Sequence, residues 1–184
     1  MFKSILSFGK RSNQHVIEAL YEAIVASARQ PVFYAQWDVL DTPLGRFEML
    51  STHVFLFLER ARGGSEALRQ LAQDVTDEFF KDVDHSLREL GIGDMGVPKR
   101  MKKLARMFYG RAESYRAALA AGDDGALAAA LARNIRPDDA AWPHGGEMAA
   151  YVKRSLADLA RQDEQDLLAG RIAFTPADTV ETHR

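Results

Sequence analysis

Gly91-Ile-Gly-Asp-Met-Gly-Val-Pro-Lys-Arg-Met-Lys-Lys-Leu-Ala-Arg-Met-Phe-Tyr-Gly-Arg111 is the stretch on which the fold turns. Gly91, Gly93 and Gly96 match the G-x-G-x-x-G dinucleotide fingerprint letter for letter. That fingerprint works only behind a β-strand, where a tight turn aims the N–H groups of the next helix at a pyrophosphate. Here the glycines follow a long 3.6-residue pattern and precede a helix rich in lysine and arginine. The element before the loop is the wrong one, so the nucleotide reading fails. What remains is a glycine hinge, Gly91, Gly93 and Gly96, between an acidic helix and a basic one.

Upstream, the acidic helix runs from about Glu66 to Leu90, capped by Ser65, on a spine of Leu71, Val75, Phe79, Val83 and Leu87. Spacing of four drifts around the cylinder, so Leu68, Ala72 and Phe80 widen its buried face. Before it, Gln14–Arg29 carries Ile17, Leu20, Tyr21, Ile24 and Val25 at helical spacing, with Asn13 as the expected cap and Pro31 as the stop. Val32–Asp41 reads as an aromatic connector containing Phe33, Tyr34 and Trp37. Thr42-Pro43 then opens a helix to about Ala61, whose expected buried side chains are Phe47, Leu50, Val54, Phe57 and Leu58.

Downstream, Pro98 starts a helix with an inner face of Met101, Leu104, Phe108, Ala112, Tyr115 and Leu119, closed by Gly122. Asp123 or Asp124 caps an alanine-rich helix to about Asn134. The expected organisation is a flexible basic N-terminus over 1–12, a helical domain over 13–135, a linker over 136–146, a C-terminal helix over 147–169 and a loose tail over 170–184. No stretch alternates as a strand does. The fold class is all-α, an irregular bundle of about six to seven helices.

The 184 residues are 47% hydrophobic, enough for one core, and the net charge of −2 makes no whole-chain case for nucleic acid. There is no cysteine, which excludes disulfides and thiolate metal sites. No apolar run approaches the roughly 20 residues that span a bilayer. The first residues lack a continuous apolar region and a small-residue cleavage site, and are not read as a secretory signal. Phe2, Ile5 and Leu6, flanked by Lys3, Lys10 and Arg11, could touch a membrane surface, although a frayed terminus is the plainer reading.

Reactive chemistry finds little footing. One Asp82-x-x-His85 falls short of the paired Glu-x-x-His of a di-iron bundle, and Asp82, off the apolar spine, is expected to face water. His53 could be imagined as a haem ligand, but a single histidine on an apolar helix is usually a hydrogen-bonded core residue. There is no Gly-x-Ser-x-Gly elbow and no P-loop. Neither an enzymatic role nor a cofactor is expected.

Charge is segregated instead. Seven acids against three bases lie between Ser65 and Leu90, and seven bases against two acids between Gly91 and Ala120. One plain explanation is attraction between antiparallel neighbours, and another is solvation of both faces. Alternatively Lys99, Arg100, Lys102, Lys103 and Arg106 form a ridge for acidic protein, anionic headgroups or ribosomal RNA. Phe55 and Tyr109 sit at the edges of their helical faces, so one or two rings could belong to an exposed patch.

Several of these segments resemble the ubiquinol–cytochrome c reductase chaperone family. They are Leu20-Tyr-Glu-Ala-Ile-Val25, Arg29-Gln-Pro-Val-Phe-Tyr34, Asp41-Thr-Pro-Leu-Gly-Arg-Phe-Glu-Met-Leu50 with His53-Val-Phe-Leu56, Phe79-Phe80, Asp84 to Arg100, and Phe108-Tyr-Gly-Arg111. Together they cover about Leu20 to Ile135 in one order. The resemblance implies an all-helical, non-enzymatic protein that binds newly made cytochrome b and assists assembly of the bc1 complex. Mitochondrial relatives act with a small partner protein and at the ribosome. Without a long Arg/Ser-rich extension, this chain resembles a bacterial member, expected in the cytoplasm and peripheral to the inner membrane, with no DNA partner. Nothing is carried over to the region after Pro137, and no catalytic residue comes with the family.

The expected client face is the glycine hinge and the basic ridge Lys99, Arg100, Lys102, Lys103 and Arg106, with Tyr109 and the connector residues Phe33, Tyr34 and Trp37. Two other readings stand beside it. One is a helical adaptor for the ribosome or RNA, with steep salt dependence; the other is a haem- or metal-binding bundle, with a Soret band or bound metal.

Overall fold

The computed structural model describes residues 2–92, 95–139 and 141–179, with 2–12 described as backbone only. Eight α-helices are present among them: α1 (Phe2–Ala28), α2 (Pro31–Ala35), α3 (Pro43–Arg62), α4 (Glu66–Glu89), α5 (Val97–Ala121), α6 (Asp124–Ile135), α7 (Gly145–Ala160) and α8 (Glu164–Leu168). A short 3-10 turn, Ala177–Thr179, follows, and no strand occurs among the described residues. Six of the helices are long and two have five residues, which agrees with an all-α bundle.

Local chemistry sets most of the boundaries. Thr42 accepts from the Gly45 N–H at 3.1 Å, Ser65 from Leu68 at 3.2 Å and Asp123 from Ala126 at 2.8 Å, each relieving an orphan donor in a first helical turn. Gly91 adopts φ +79°, and the Ile92 N–H reaches back to the Leu87 carbonyl, a Schellman ending for α4. Gly45 is required for space: a Cβ there would stand 1.9 Å from the Leu40 carbonyl oxygen. Asn13 does not cap α1, which already runs from Phe2; its side-chain amide donates to Asp74 instead.

The centre of the molecule is α3. Met49 and the whole run from Ser51 to Phe57 are buried, because α1 and α4 pack on one side of α3 and α6 and α7 on the other. Expecting a single stripe therefore understated it: Phe55 and Leu56 are core, whereas Phe47, Leu50 and Leu58 lie at the margins. A helix apolar on most of its circumference is an interior helix.

The C-terminal third differs most from expectation. The 136–146 segment is not a linker: Trp142 is buried and its indole N–H donates to the Trp37 carbonyl at 2.9 Å. The final helix is two, α7 and α8, with the break at Asp163, whose carboxylate caps α8. The tail is packed as far as Thr179. Gln30 holds it like a strand partner, its amide donating to the Thr175 carbonyl and accepting from the Ala177 N–H. Ala177 is fully buried as a result.

Candidate functional site

Four helices converge without closing. Between α1, α3, α4 and α5 lies a groove of about 550 Å³ whose walls include Val25, Phe47, Leu50, Val83, Leu87 and Leu104. Leu44 and Leu90 stand at its mouth, 47% and 60% exposed, where a compact core would cover them. Each continues an apolar stripe one turn beyond its neighbours, Leu44 ahead of Phe47 and Leu90 after Leu87. Arg29, Arg46 and Arg100 line the same opening, as do Asp82 and Glu89. A mostly apolar cleft with a few charges at its edge is the usual form of a binding site.

Of the aromatic connector, only Tyr34 belongs to this groove, its hydroxyl donating to the Ala28 carbonyl at 3.0 Å. Burial pushes its phenol pKa up. Phe33 and Trp37 correct the expectation of a client face there. They are 0% and 1% exposed, packed edge to face on each other and on Tyr151, so no partner reaches them in this fold. The physical reason is the helical turn α2, which turns Phe33 inward, and the bond from the Trp37 N–H back to the Val32 carbonyl at 3.1 Å, which keeps Trp37 folded against it where an extended connector would have splayed the two.

The basic ridge is exposed. Lys99, Arg100, Lys102, Lys103, Arg106 and Tyr109 all face solvent, Tyr109 at 52%. Arg100 turns toward the groove; helical spacing places Lys99, Lys102, Lys103 and Arg106 in a separate outer stripe. The idea that acidic α4 neutralises basic α5 finds no support among the described residues. The α4 acids are engaged elsewhere: Asp74 with Asn13 and Gln70, Asp77 with Gln73, Glu78 with Lys81, Asp84 with Arg88 and Glu89 with His85. Asp82 does not simply face water, since it accepts from the Tyr21 hydroxyl at 2.7 Å. Of the three hinge glycines, Gly91 ends α4, Gly96 precedes α5 in ordinary right-handed geometry, and Gly93 lies outside the described residues.

Two buried polar pairs escaped the sequence. Arg111, one of the seven bases counted above between Gly91 and Ala120, donates to Glu48 at 2.6 Å with both side chains largely removed from solvent. Burial pushes the Glu48 carboxyl up to about 7 despite the guanidinium beside it. Arg116 likewise turns inward to Glu59. His53 is a core residue, as its surroundings suggested: Nδ1 lies 2.8 Å from the Met49 carbonyl and Nε2 2.7 Å from the Tyr151 hydroxyl. Desolvation lowers its pKa to about 4, so the ring is neutral. Periodicity cannot reveal either pair, because the partners are 63 and 98 residues apart.

The described residues hold no group of three or more His, Asp or Glu placed to take a metal ion. None of the described helices is long and apolar enough to cross a membrane. What the surface does present is an open, mostly apolar groove and, along the outer side of α5, a stripe of exposed positive charge.

The family model described as ubiquinol-cytochrome C chaperone matches residues 35–174. That span reaches well past Pro137, into the tail that packs against Gln30. Among solved structures, the chain is similar to the one described as the crystal structure of the Cbp3 homolog from Brucella abortus. The two share 56% identity with a TM-score of 0.89, over 98% of this chain and 100% of that one. No curated protein matches the chain.

Proposed function

We infer the function from one premise: the chain belongs to the ubiquinol-cytochrome C chaperone family. Our proposal is that it acts without catalysis, holding newly made cytochrome b for assembly of the bc1 complex, at the inner face of the membrane. The observation that carries this reading is the groove between α1, α3, α4 and α5. A client that will end in a bilayer presents apolar helix faces before its own partners arrive. The groove takes a few large side chains from one such face, in the helix-in-groove manner. Leu44 and Leu90 extend the contact, while Arg29, Arg46 and Arg100 suit acidic or carbonyl groups at the end of a span. Nothing in this task needs a reactive centre.

Photo-crosslinking side chains at Leu44 and Leu90, with Lys153 on α7 as a control, test the proposal in the native host. Cytochrome b should be captured from the first two positions and not from the third. Capture of ribosomal proteins alone from the groove positions would favour the adaptor reading and overturn this one. Equal capture of cytochrome b from Lys153 would show that the groove is not the docking site.

A further inference from the structure

We propose that the outer stripe of α5 is a docking face for an anionic lipid surface. Lys99, Lys102, Lys103 and Arg106 follow i, i+3, i+4 and i+7 spacing, so they share one sector of the helix over about 10 Å. All four are exposed, and among the described residues none has an ion pair or side-chain hydrogen bond. Of the other three bases of α5, Arg100 turns toward the groove, Arg111 pairs with Glu48 and Arg116 with Glu59 and Glu113. The stripe is no longer than a Debye length of about 8–10 Å, so its charges act on a flat anionic surface together.

Exposed apolar side chains flank the stripe in sequence, one just ahead of α5 and one within it. Met95, four residues before Lys99, is 98% exposed, and Tyr109, three after Arg106, is 52% exposed. A long thioether and an amphipathic ring beside lysines suit the boundary between headgroups and acyl chains, where each apolar body is buried and each polar tip stays wet. RNA would reward neither Met95 nor three lysines in place of arginines, whose planar forks bind phosphate bidentately. The stripe also adjoins the groove through Arg100, so docking would hold the groove mouth beside the lipid surface. The use of such a surface rests on the proposal that the client is a membrane subunit; lipid binding itself does not.

The full chain is floated with vesicles of phosphatidylcholine, with and without phosphatidylglycerol, at low and high salt. It should partition onto the anionic vesicles only, and raised salt should release it. Replacing Lys99, Lys102, Lys103 and Arg106 with glutamine should weaken partitioning by about fivefold per charge, on the order of a hundredfold or more in all. The helix content and melting temperature of that variant should stay unchanged. Met95→Ser with Tyr109→Ser should weaken partitioning while leaving its salt dependence intact. Equal binding to neutral vesicles, undiminished binding of the glutamine variant, or binding of single-stranded RNA without vesicles would overturn the proposal. Crosslinking from Leu44 is scored in parallel. Cytochrome b capture without vesicle binding sinks the lipid face alone, whereas vesicle binding without capture supports it and sinks the client reading.

Discussion

On one side of α3, Phe33, Trp37, Tyr151 and His53 form a closed cluster whose rings meet at 5.0–6.1 Å. Within and around it His53 bonds the Tyr151 hydroxyl and the Trp142 indole N–H donates to the Trp37 carbonyl. On the other side, Phe79 packs against Phe47, Phe80 and Phe108, an equally aromatic cluster that opens into the groove at Leu44 and Leu90. Residue type does not separate the two sides. Closure does: α7 and the C-terminal tail cover the first, and no element of the described structure covers the mouth of the second. The comparison teaches that the most conspicuous aromatics, Phe33 and Trp37, are scaffold, and that two plain leucines mark the side left open.

The contrast is broken most directly by truncation. Trp37→Ala should cost about 3–5 kcal/mol, since it empties a site that is 1% exposed inside the closed cluster. Urea denaturation measures it, and a loss near that of a surface residue would mean the cluster is not closed in solution.

Titration sharpens the comparison next, because one buried ionisable group sits on each side of the balance. Glu48 has its pKa raised from 4.5 to about 7, so its share of stability is complete below 4.5 and lost as pH rises through about 7. His53 has its pKa lowered from 6.5 to about 4, so its share is complete above 6.5 and lost as pH falls through about 4. Between about 4.5 and 6.5 the two slopes oppose each other, each approaching roughly 1.4 kcal/mol per pH unit at most. Stability of the unaltered protein should therefore change little in this window. Glu48→Gln should make it fall on acidification, and His53→Gln should make it fall as pH rises. If either variant matches the parent slope by denaturation at stepped pH, that group does not titrate as its burial requires.

A smaller effect tests what closes the first cluster. Gln30→Ala removes both amide contacts to the tail and should cost about 1–2 kcal/mol. Faster amide exchange should appear first around Thr175 and Ala177, ahead of the rest of the chain. Smallest in stability is the open side: Leu44→Ser and Leu90→Ser should each change folding by no more than about 0.5 kcal/mol, because both are half exposed. The pair should nonetheless lower cytochrome b capture, and unchanged capture would remove the groove from the client face.

Most of the helical framework was legible because its causes are local. Thr42, Ser65 and Asp123 cap the helices they precede, Gly91 and Gly122 turn left-handed where α4 and α5 end, and the α4 spine has the spacing of a one-sided helix. The candidate site was legible only in part. The basic stripe could be seen as charge on one helix, whereas the groove needs four helices to exist, and its leucines look like the ends of ordinary apolar stripes. The connector misled for a related reason: Val32–Asp41 lacks a helical repeat, and the single turn of α2 is too short to show one.

By itself, then, the sequence determined an all-helical chain, its acidic and basic helices, and the family to which its segments are similar, because periodicity, capping and charge act over a few residues. Only the tertiary structure decided that Phe33 and Trp37 point inward, that Arg111 leaves the surface for Glu48, and that residues 136–179 complete the core. Those outcomes depend on partners 63 to 147 residues away, and burial is set by whatever packs alongside, which no local pattern records.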